Sequence, residues 1–398
     1  MSREPVSTFL RLMKLNRMNL PPLSLYVHVP WCVRKCPYCD FNSHVGSEIP
    51  ETQYLAQLKL DLAQDLIFVQ NRSLRSIFFG GGTPSLMSGS FYNELLTFIE
   101  SKISFHPDIE ITLEANPGTT EAARFKAYRQ AGINRLSIGV QSFQRDHLQA
   151  LGRIHSGEDA ICAIKQAQDA GFDNLNIDLM HGLANQSVEQ AMEDLNQAIA
   201  LGSTHLSWYQ LTIEQNTEYF RHPPKLPEDE ALWDIQKAGV EVLKSAGFLQ
   251  YEVSAFSKRG REAQHNLNYW TFGDYIGIGA GAHSKVTILG ERNESECILR
   301  FRKTRTPKDY LLPKPAFRIG QENIIREDLG FEFLMNVLRL NKGVEESLFI
   351  SRTGLSLSVL EPQLSEFRNM GLIERARLGT TEKGHLFLNS LLEKFADM

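Results

Sequence analysis

Residues 26–41 read YVHVPWCVRKCPYCDF. Tyr26 and His28 fall on one face of this stretch and Val27 and Val29 on the other, which is the period of a β-strand. Beyond the strand, a loop holds Cys32, Cys36 and Cys39 in C-x3-C-x2-C spacing. Thiolates are soft ligands that suit iron–sulfur clusters and zinc. Structural zinc usually takes four ligands from paired C-x2-C units. Here three cysteines are local, while Cys162 and Cys297 are remote. Three thiolates leave one metal position open, which serves chemistry and is pointless for a staple. A zinc knuckle completed by His28 or His44 is the plainer alternative.

Outward from this loop, β-rich runs recur at 24–29, 75–79, 110–113, 135–138, 175–179 and 205–211. Stretches of helical periodicity lie between most of them, at 54–69, 91–103, 121–131, 159–170 and 188–201. Alternation of this kind predicts a parallel sheet of βαβ units in an α/β fold. Six units suit a partial (β/α)6 barrel better than a full eight-fold one, although a doubly wound sheet has the same local signature. Strand parity favours the barrel. Thr112 and Glu114 share a face opposite Ile111 and Leu113, and Asn176 and Asp178 share a face opposite Leu175, Ile177 and Leu179. One face is apolar, to lie under helices, and the other is polar, to line a lumen. Glu114 and Asp178 sit at C-terminal strand ends, where parallel barrels gather their active sites.

After residue 211 the regularity fades. A proline-rich charged connection spans 221–230, a helix is expected over 230–245, and 265–283 is rich in aromatics and glycine. The expected division is an extension over 1–20, a barrel over 21–220, a barrel extension over 221–301, a linker over 302–321 and a C-terminal domain over 322–398. That last domain reads as helices at 324–340, 345–351 and 356–369, a hairpin at 372–379 and a helix at 381–396. The order is winged-helix-like. Residues 323–398 carry nine Lys/Arg against eleven Asp/Glu, so a DNA-binding wing is disfavoured.

Composition narrows the class. The 398 residues hold 42 basic and 47 acidic side chains, a net charge of −5, which argues against general nucleic-acid binding. Five cysteines are too few and too bunched for a secreted disulfide scaffold. No apolar run is long enough to span a membrane. The first residues lack the uninterrupted apolar core of a signal peptide. They read as a frayed extension, with a membrane-touching amphipathic helix as the lesser reading. A cytoplasmic location follows, where clustered thiols signify metal or catalysis.

A C-x3-C-x2-C loop after the first strand of a six-unit barrel resembles the radical S-adenosylmethionine superfamily. The resemblance implies that Cys32, Cys36 and Cys39 hold a [4Fe-4S] cluster and that S-adenosylmethionine chelates the remaining iron. Gly80-Gly-Gly-Thr-Pro84 follows the second strand, where the family contacts the methionyl end of that cofactor. The resemblance further implies cofactor contacts from Tyr26, Tyr38, Gly81, Gly82, Thr83, Glu114, Gln141, Arg153 and Asp178. Acids, an amide and an arginine are the groups that a sulfonium with amine, carboxylate and ribose hydroxyls needs. Read singly, Arg153 or Asp178 would be a salt-bridge or cap residue.

From about Leu20 onward the chain resembles the oxygen-independent coproporphyrinogen III oxidase group, and its haem-chaperone branch most closely. LSLYVHVPWC, GGGTPSL, EANPG, GVQSF, LGRIH and HNLNYW carry the likeness. True oxidases have a further cysteine two residues after the third cluster cysteine, where this chain has Phe41. Oxidative decarboxylation of coproporphyrinogen is therefore the rival reading and is not the expected one. In the chaperone branch the segment His265–Trp270 is associated with haem. An imidazole can ligate haem iron axially, and Tyr269 and Trp270 offer flat apolar faces to a macrocycle. Alone, His265 reads as a satisfied histidine, and His283 is a weaker ligand candidate. The expected protein binds haem as cargo and passes it to apo-haemoproteins such as membrane respiratory enzymes.

Overall fold

Six strands pair in parallel and in chain order: β1 (Leu23–Val29), β2 (Leu74–Gly81), β3 (Phe105–Ala115), β4 (Arg135–Gln141), β5 (Leu175–His181) and β6 (His205–Gln210). These features come from a computed structural model that describes residues 18–46, 48–118, 124–289 and 296–396. The extension expected over 1–20 lies almost wholly outside these residues, as do the first residues of the helix expected at 121–131.

The intervening helices are α1 (Glu51–Asp65), α2 (Gly89–Lys102), α3 (Phe125–Ala131), α4 (Gly157–Asp169) and α5 (Val188–Ala200). Local chemistry sets their starts. Ser156 with Asp159 and Ser187 with Gln190 form capping boxes at α4 and α5, each satisfying two otherwise orphaned N–H groups. Strand parity then divides the side chains as expected. Leu25, Val27, Ile77, Phe79, Ile138, Ile177 and Leu179 are fully buried on the helix side. Each such side chain contributes about 1.5–3 kcal/mol by leaving water. Ser24, Ser76, Thr112, Ser137, Asn176 and Asp178 take the opposite face and line the lumen.

The sheet has twelve strands rather than six. After α6 (Asp229–Ser245), β7 (Leu249–Glu252) and β8 (Ala255–Ser257) extend the β6 edge antiparallel. The helix α7 (Gln264–Trp270) leads to β9 (Asp274–Ile278), which pairs in parallel with β1. Then β10 (His283–Ile288), β11 (Cys297–Lys303) and β12 (Arg318–Asn323) continue antiparallel. The strand order is β12-β11-β10-β9-β1-β2-β3-β4-β5-β6-β8-β7. The barrel is therefore open, with β12 and β7 at its edges.

The 302–321 stretch, read as a linker from its prolines, contains the end of β11 and the start of β12. Its prolines lie in the connection between the strands, where Pro307 opens the short helix Pro307–Tyr310. β12 has no buried residue to produce an alternating pattern. β9 carries no alternating pattern because Gly277 interrupts it. A Cβ on Gly277 would lie 2.0 Å from the His283 carbonyl oxygen, so the turn into β10 demands that glycine.

The C-terminal part contains α8 (Leu329–Val337), α9 (Glu346–Thr353), α10 (Gln363–Asn369) and α11 (Leu388–Ala396). A short ribbon pairs Val344–Glu345 with Arg377–Leu378, and an Ile373–Thr380 bridge marks the expected hairpin. The helix expected over 356–369 is divided at Glu361 and Pro362 into a 3-10 turn, Leu357–Leu360, and α10. The core of this part includes Phe333, Leu334 and Phe349 together with Phe272 and Ile298 from the barrel side, so the two share one hydrophobic cluster. Among the described residues no helix is long and apolar enough to cross a membrane.

Candidate functional site

At the C-terminal ends of β1–β5 the barrel opens into a cavity of about 460 Å³. Cys32, Cys36 and Cys39 line one end, and Glu252, Ser254 and Asn266 line the other. Two sets of contacts hold the cysteine loop. On one side, Gly82 N–H donates to Val29 O at 2.7 Å and Thr83 N–H donates to Trp31 O at 2.7 Å. A Cβ on Gly82 would sit 2.5 Å from Trp31 O, and one on Gly81 would sit 2.6 Å from the His28 ring. Gly81 also has φ +116°, in the region that favours glycine. The glycine run thus lets the end of β2 approach the cysteine loop itself. On the other side, Asn42 Nδ2 donates to Ala280 O and to Arg305 O, both at 2.9 Å. Tyr54 OH donates to His28 O at 2.6 Å and accepts from Ala280 N–H at 3.1 Å.

Of the expected cofactor residues, Tyr38, Gly81, Gly82, Thr83, Glu114, Gln141, Arg153 and Asp178 line this cavity, and Tyr26 does not. Arg153 Nη2 donates to Asn116 Oδ1 at 2.7 Å and to Gly139 O at 2.6 Å, while Nη1 faces Cys36 Sγ at 3.6 Å. Asn116 Nδ2 donates to Thr83 Oγ1 at 3.1 Å, and Thr83 Oγ1 points at Cys32 Sγ at 3.5 Å. A polar relay therefore joins two of the thiols through Thr83, Asn116 and Arg153. Gln141 ends β4 at φ +70°, a strained setting for a residue with a side chain, and its Oε1 accepts from Tyr209 OH at 2.8 Å. Tyr38 lines the same cavity, and Tyr26 lies under it with its OH 3.0 Å from His28 Nδ1.

Glu114 and Asp178 are the acids of the lumen. Glu114 Oε2 accepts from Gly81 N–H at 3.2 Å. Burial, with Asp178 nearby, pushes its carboxyl up to about 8. Asp178 accepts from Ser137 Oγ at 3.0 Å and from Asn176 Nδ2 at 2.7 Å. Burial raises it too, although these donors oppose the shift. Two buried acids short of a cation suit a positively charged ligand. The buried Nε of Arg153 has no protein partner, so that guanidinium is incompletely satisfied as well. Three thiols, an amide relay, an unsatisfied guanidinium and two acids match the donor set that a [4Fe-4S] cluster with S-adenosylmethionine requires.

The zinc-knuckle alternative finds no support. Both His28 ring nitrogens are engaged, with Tyr26 OH and with Asn42 O. Among the described residues no three metal-type side chains converge on a single-ion position. A cubane cluster does not need that convergence, because each thiolate takes a different iron corner. Asn116 and Tyr209 went unassigned in the sequence. Tyr209 shares strand parity with His205 and Ser207 and could have been found that way. Asn116 lies beyond the last strand position and gave no periodic signal.

His265 was expected to ligate haem iron, and α7 places it at the N-terminal end of the lumen. Its Nδ1 pairs with Ser76 Oγ at 2.8 Å and its Nε2 with Tyr269 OH at 3.0 Å. Its backbone N–H donates to Glu110 at 3.2 Å, and it is 2 % exposed. Neither ring nitrogen is free for iron. Phe78 stacks on the imidazole with centroids 5.0 Å apart. Trp270 lies beneath the Arg339 guanidinium at 4.3 Å. Both ring nitrogens of His265 are thus paired with side chains from β2 and α7. His283 is exposed at the start of β10, on the cysteine side of the sheet.

The profile of the Radical SAM superfamily matches residues 26–196, and that of the HemN C-terminal domain matches residues 324–387. The heme chaperone HemW of Escherichia coli (strain K12) is 50% identical over 381 residues, 95% of this chain and 99% of that protein. The heme chaperone HemW of Haemophilus influenzae is 51% identical over 385 residues, 95% of this chain and 98% of that protein. The one of Bacillus subtilis is 32% identical over 381 residues, 94% and 98% of the two chains. Among solved structures, coproporphyrinogen III oxidase (HemN) from Escherichia coli superposes with a TM-score of 0.77 over 98% of this chain and 93% of that one. At 22% identity, that likeness is one of fold. The three-thiol loop, the polar lumen and these relatives together establish that the chain belongs to the radical SAM superfamily and, within it, to the HemW family of heme chaperones.

Proposed function

We propose that this protein is a cytoplasmic haem chaperone that binds haem as cargo, carries a [4Fe-4S] cluster and S-adenosylmethionine, and transfers haem to apo-haemoproteins such as respiratory enzymes. The observation that carries the reading is the cysteine loop. Three thiols face one cavity, and Phe41 stands where the oxidase group has a further cysteine. In this reading Cys32, Cys36 and Cys39 are the cluster ligands. The cluster, when bound, supplies an electron and an open iron for the cofactor's amino and carboxylate groups.

The surrounding residues bind and orient. Arg153, held by Asn116 and Gly139 O, presents positive charge beside Cys36 and to a carboxylate. Glu114 and Asp178 hold the cationic groups of S-adenosylmethionine, with Tyr26, Tyr38, Gly81, Gly82, Thr83 and Gln141 shaping its bed. Glu114, Asp178, Glu214 and Glu252 all border the cavity, as do Arg153, Arg34 and Lys35.

The test is anaerobic reconstitution followed by haem titration and transfer to an apo-haemoprotein. Haem uptake and hand-over are expected, with no decarboxylation of coproporphyrinogen in the presence of reductant and S-adenosylmethionine. Porphyrinogen turnover would replace this reading with the oxidase.

A further inference from the structure

Asn116 is the first residue beyond β3, and it joins two groups that face the cysteine thiols. Its backbone is fixed. The Asn116 N–H donates to the buried Ser85 Oγ at 3.3 Å, its carbonyl accepts from Gly118 N–H at 2.9 Å, and Pro117 follows it. The side-chain amide then reaches both ways. Arg153 carries donors only, so its Nη2 must meet the amide oxygen, at 2.7 Å. That leaves the amide nitrogen for Thr83, to whose Oγ1 it donates at 3.1 Å. A hydroxyl that accepts on one side keeps its own proton for the other. Thr83 Oγ1 therefore donates to Cys32 Sγ, at 3.5 Å, and it does not cap the turn Pro84–Leu86 that follows. Arg153 Nη1 donates to Cys36 Sγ at 3.6 Å, and its buried Nε has no protein partner.

An amide suits this place because it accepts and donates at once, whereas a carboxylate only accepts. Hydrogen bonds to the sulfurs of an iron–sulfur cluster draw charge from it and raise its reduction potential. We propose that Asn116 is a positioning residue of the cofactor site: it fixes Thr83 as a donor to Cys32 and Arg153 as a donor to Cys36, and through these two donors it sets the reduction potential of the [4Fe-4S] cluster. The same bond aims the Arg153 guanidinium at the carboxylate of S-adenosylmethionine. This rests on the reading of the three thiols as cluster ligands, and it names the residue that governs how readily the cluster takes an electron.

The experiment uses the full-length protein, reconstituted anaerobically, with iron and sulfide assayed in each variant. Two quantities are read. One is the cluster midpoint, followed by electron paramagnetic resonance in a redox titration without S-adenosylmethionine. The other is S-adenosylmethionine affinity, by equilibrium dialysis. Thr83→Val removes the donor to Cys32 at similar volume, so the midpoint is expected to fall. Asn116→Asp should lower it as well, because a carboxylate claims the Thr83 proton and turns the hydroxyl lone pairs on Cys32. The added charge acts in either background, so the decisive comparison is Asn116→Asp within Thr83→Val, where the fall is expected to be clearly smaller. Asn116→Ala should weaken S-adenosylmethionine binding about tenfold, and Asn116→Asp, which still accepts from Arg153, by less. Equal midpoint shifts for Asn116→Asp in the two backgrounds, or wild-type affinity in Asn116→Ala, would overturn the role. Absence of a cluster in the wild type, with iron and sulfide supplied, would instead remove the reading on which it rests.

Discussion

Glu114 shows what a lumen built for a cation costs a protein that has not yet bound one. Its carboxyl rises from an ordinary 4.5 to about 8, through burial first and Asp178 second. The folded chain therefore keeps a proton that the unfolded chain gives up between those two values. Where the native state binds more protons, stability falls as pH rises. Glu114→Gln removes the titration, so it should stabilise the cluster-free protein little near about pH 5 and by up to a few kcal/mol near about pH 9. Thermal melts at the two values check this, and an equal gain at both would contradict it. Cys36→Ser should abolish the charge-transfer absorption of the reconstituted cluster while leaving the far-ultraviolet circular dichroism intact. At this scale the thiols, Glu114 and Asp178 were legible from spacing and strand parity. The setting of His265 was not. Its partner Ser76 is 189 positions away, and nothing local announces such a contact.

At the scale of elements, the helix–strand alternation was legible because each unit signals itself by a switch between periods 2 and 3.6. The antiparallel additions were not. β9 is interrupted by glycine and β12 is exposed, so neither has the alternation that marks a half-buried strand. Packing between elements can also reverse local propensity. Gly239 lies within α6, where alanine would ordinarily gain up to about 1 kcal/mol. Its Cβ would meet Trp208 Cη2 at 1.9 Å, and that indole is held against His181 with centroids 4.2 Å apart. Gly239→Ala should therefore destabilise by about 1–3 kcal/mol, as overpacking does. A denaturation midpoint equal to or above wild type would show that the indole can yield.

Across the whole molecule, the C-terminal part is fastened to the floor of the lumen. Arg339 Nη2 donates to Glu252 at 3.0 Å, its guanidinium covers Trp270, and Asn341 N–H donates to Tyr251 O at 3.1 Å. Leu340 forms a β-bridge with Glu252, which also borders the cavity. Removing the arginine leaves a carboxylate whose side chain is 5% exposed without its partner. Arg339→Ala should cost about 1–3 kcal/mol and red-shift tryptophan emission. Arg339→Lys should recover only part of this, because an ammonium does not stack as a planar guanidinium does. An unchanged midpoint for Arg339→Ala would mean that the two parts unfold separately. The winged-helix-like order was legible from composition and periodicity. Its docking was not, because the shared core joins Phe333 to Phe272 across a stretch with no pattern of its own.

The pairing of β9 with β1 imposes an order of events on the making of the protein. β1 and the thiol loop are among the first structured segments to leave the ribosome, yet β9, one of the two lateral partners of β1, and the Ala280 clasp on Asn42 come much later, Ala280 238 positions after Asn42. Contacts that span most of a chain form late. The full cradle for iron and sulfide is therefore expected only once the chain has passed Ala280. A message cut short before Gly279 would release a polypeptide whose thiol loop is held only from the side of Gly82 and Thr83, without the Ala280 clasp.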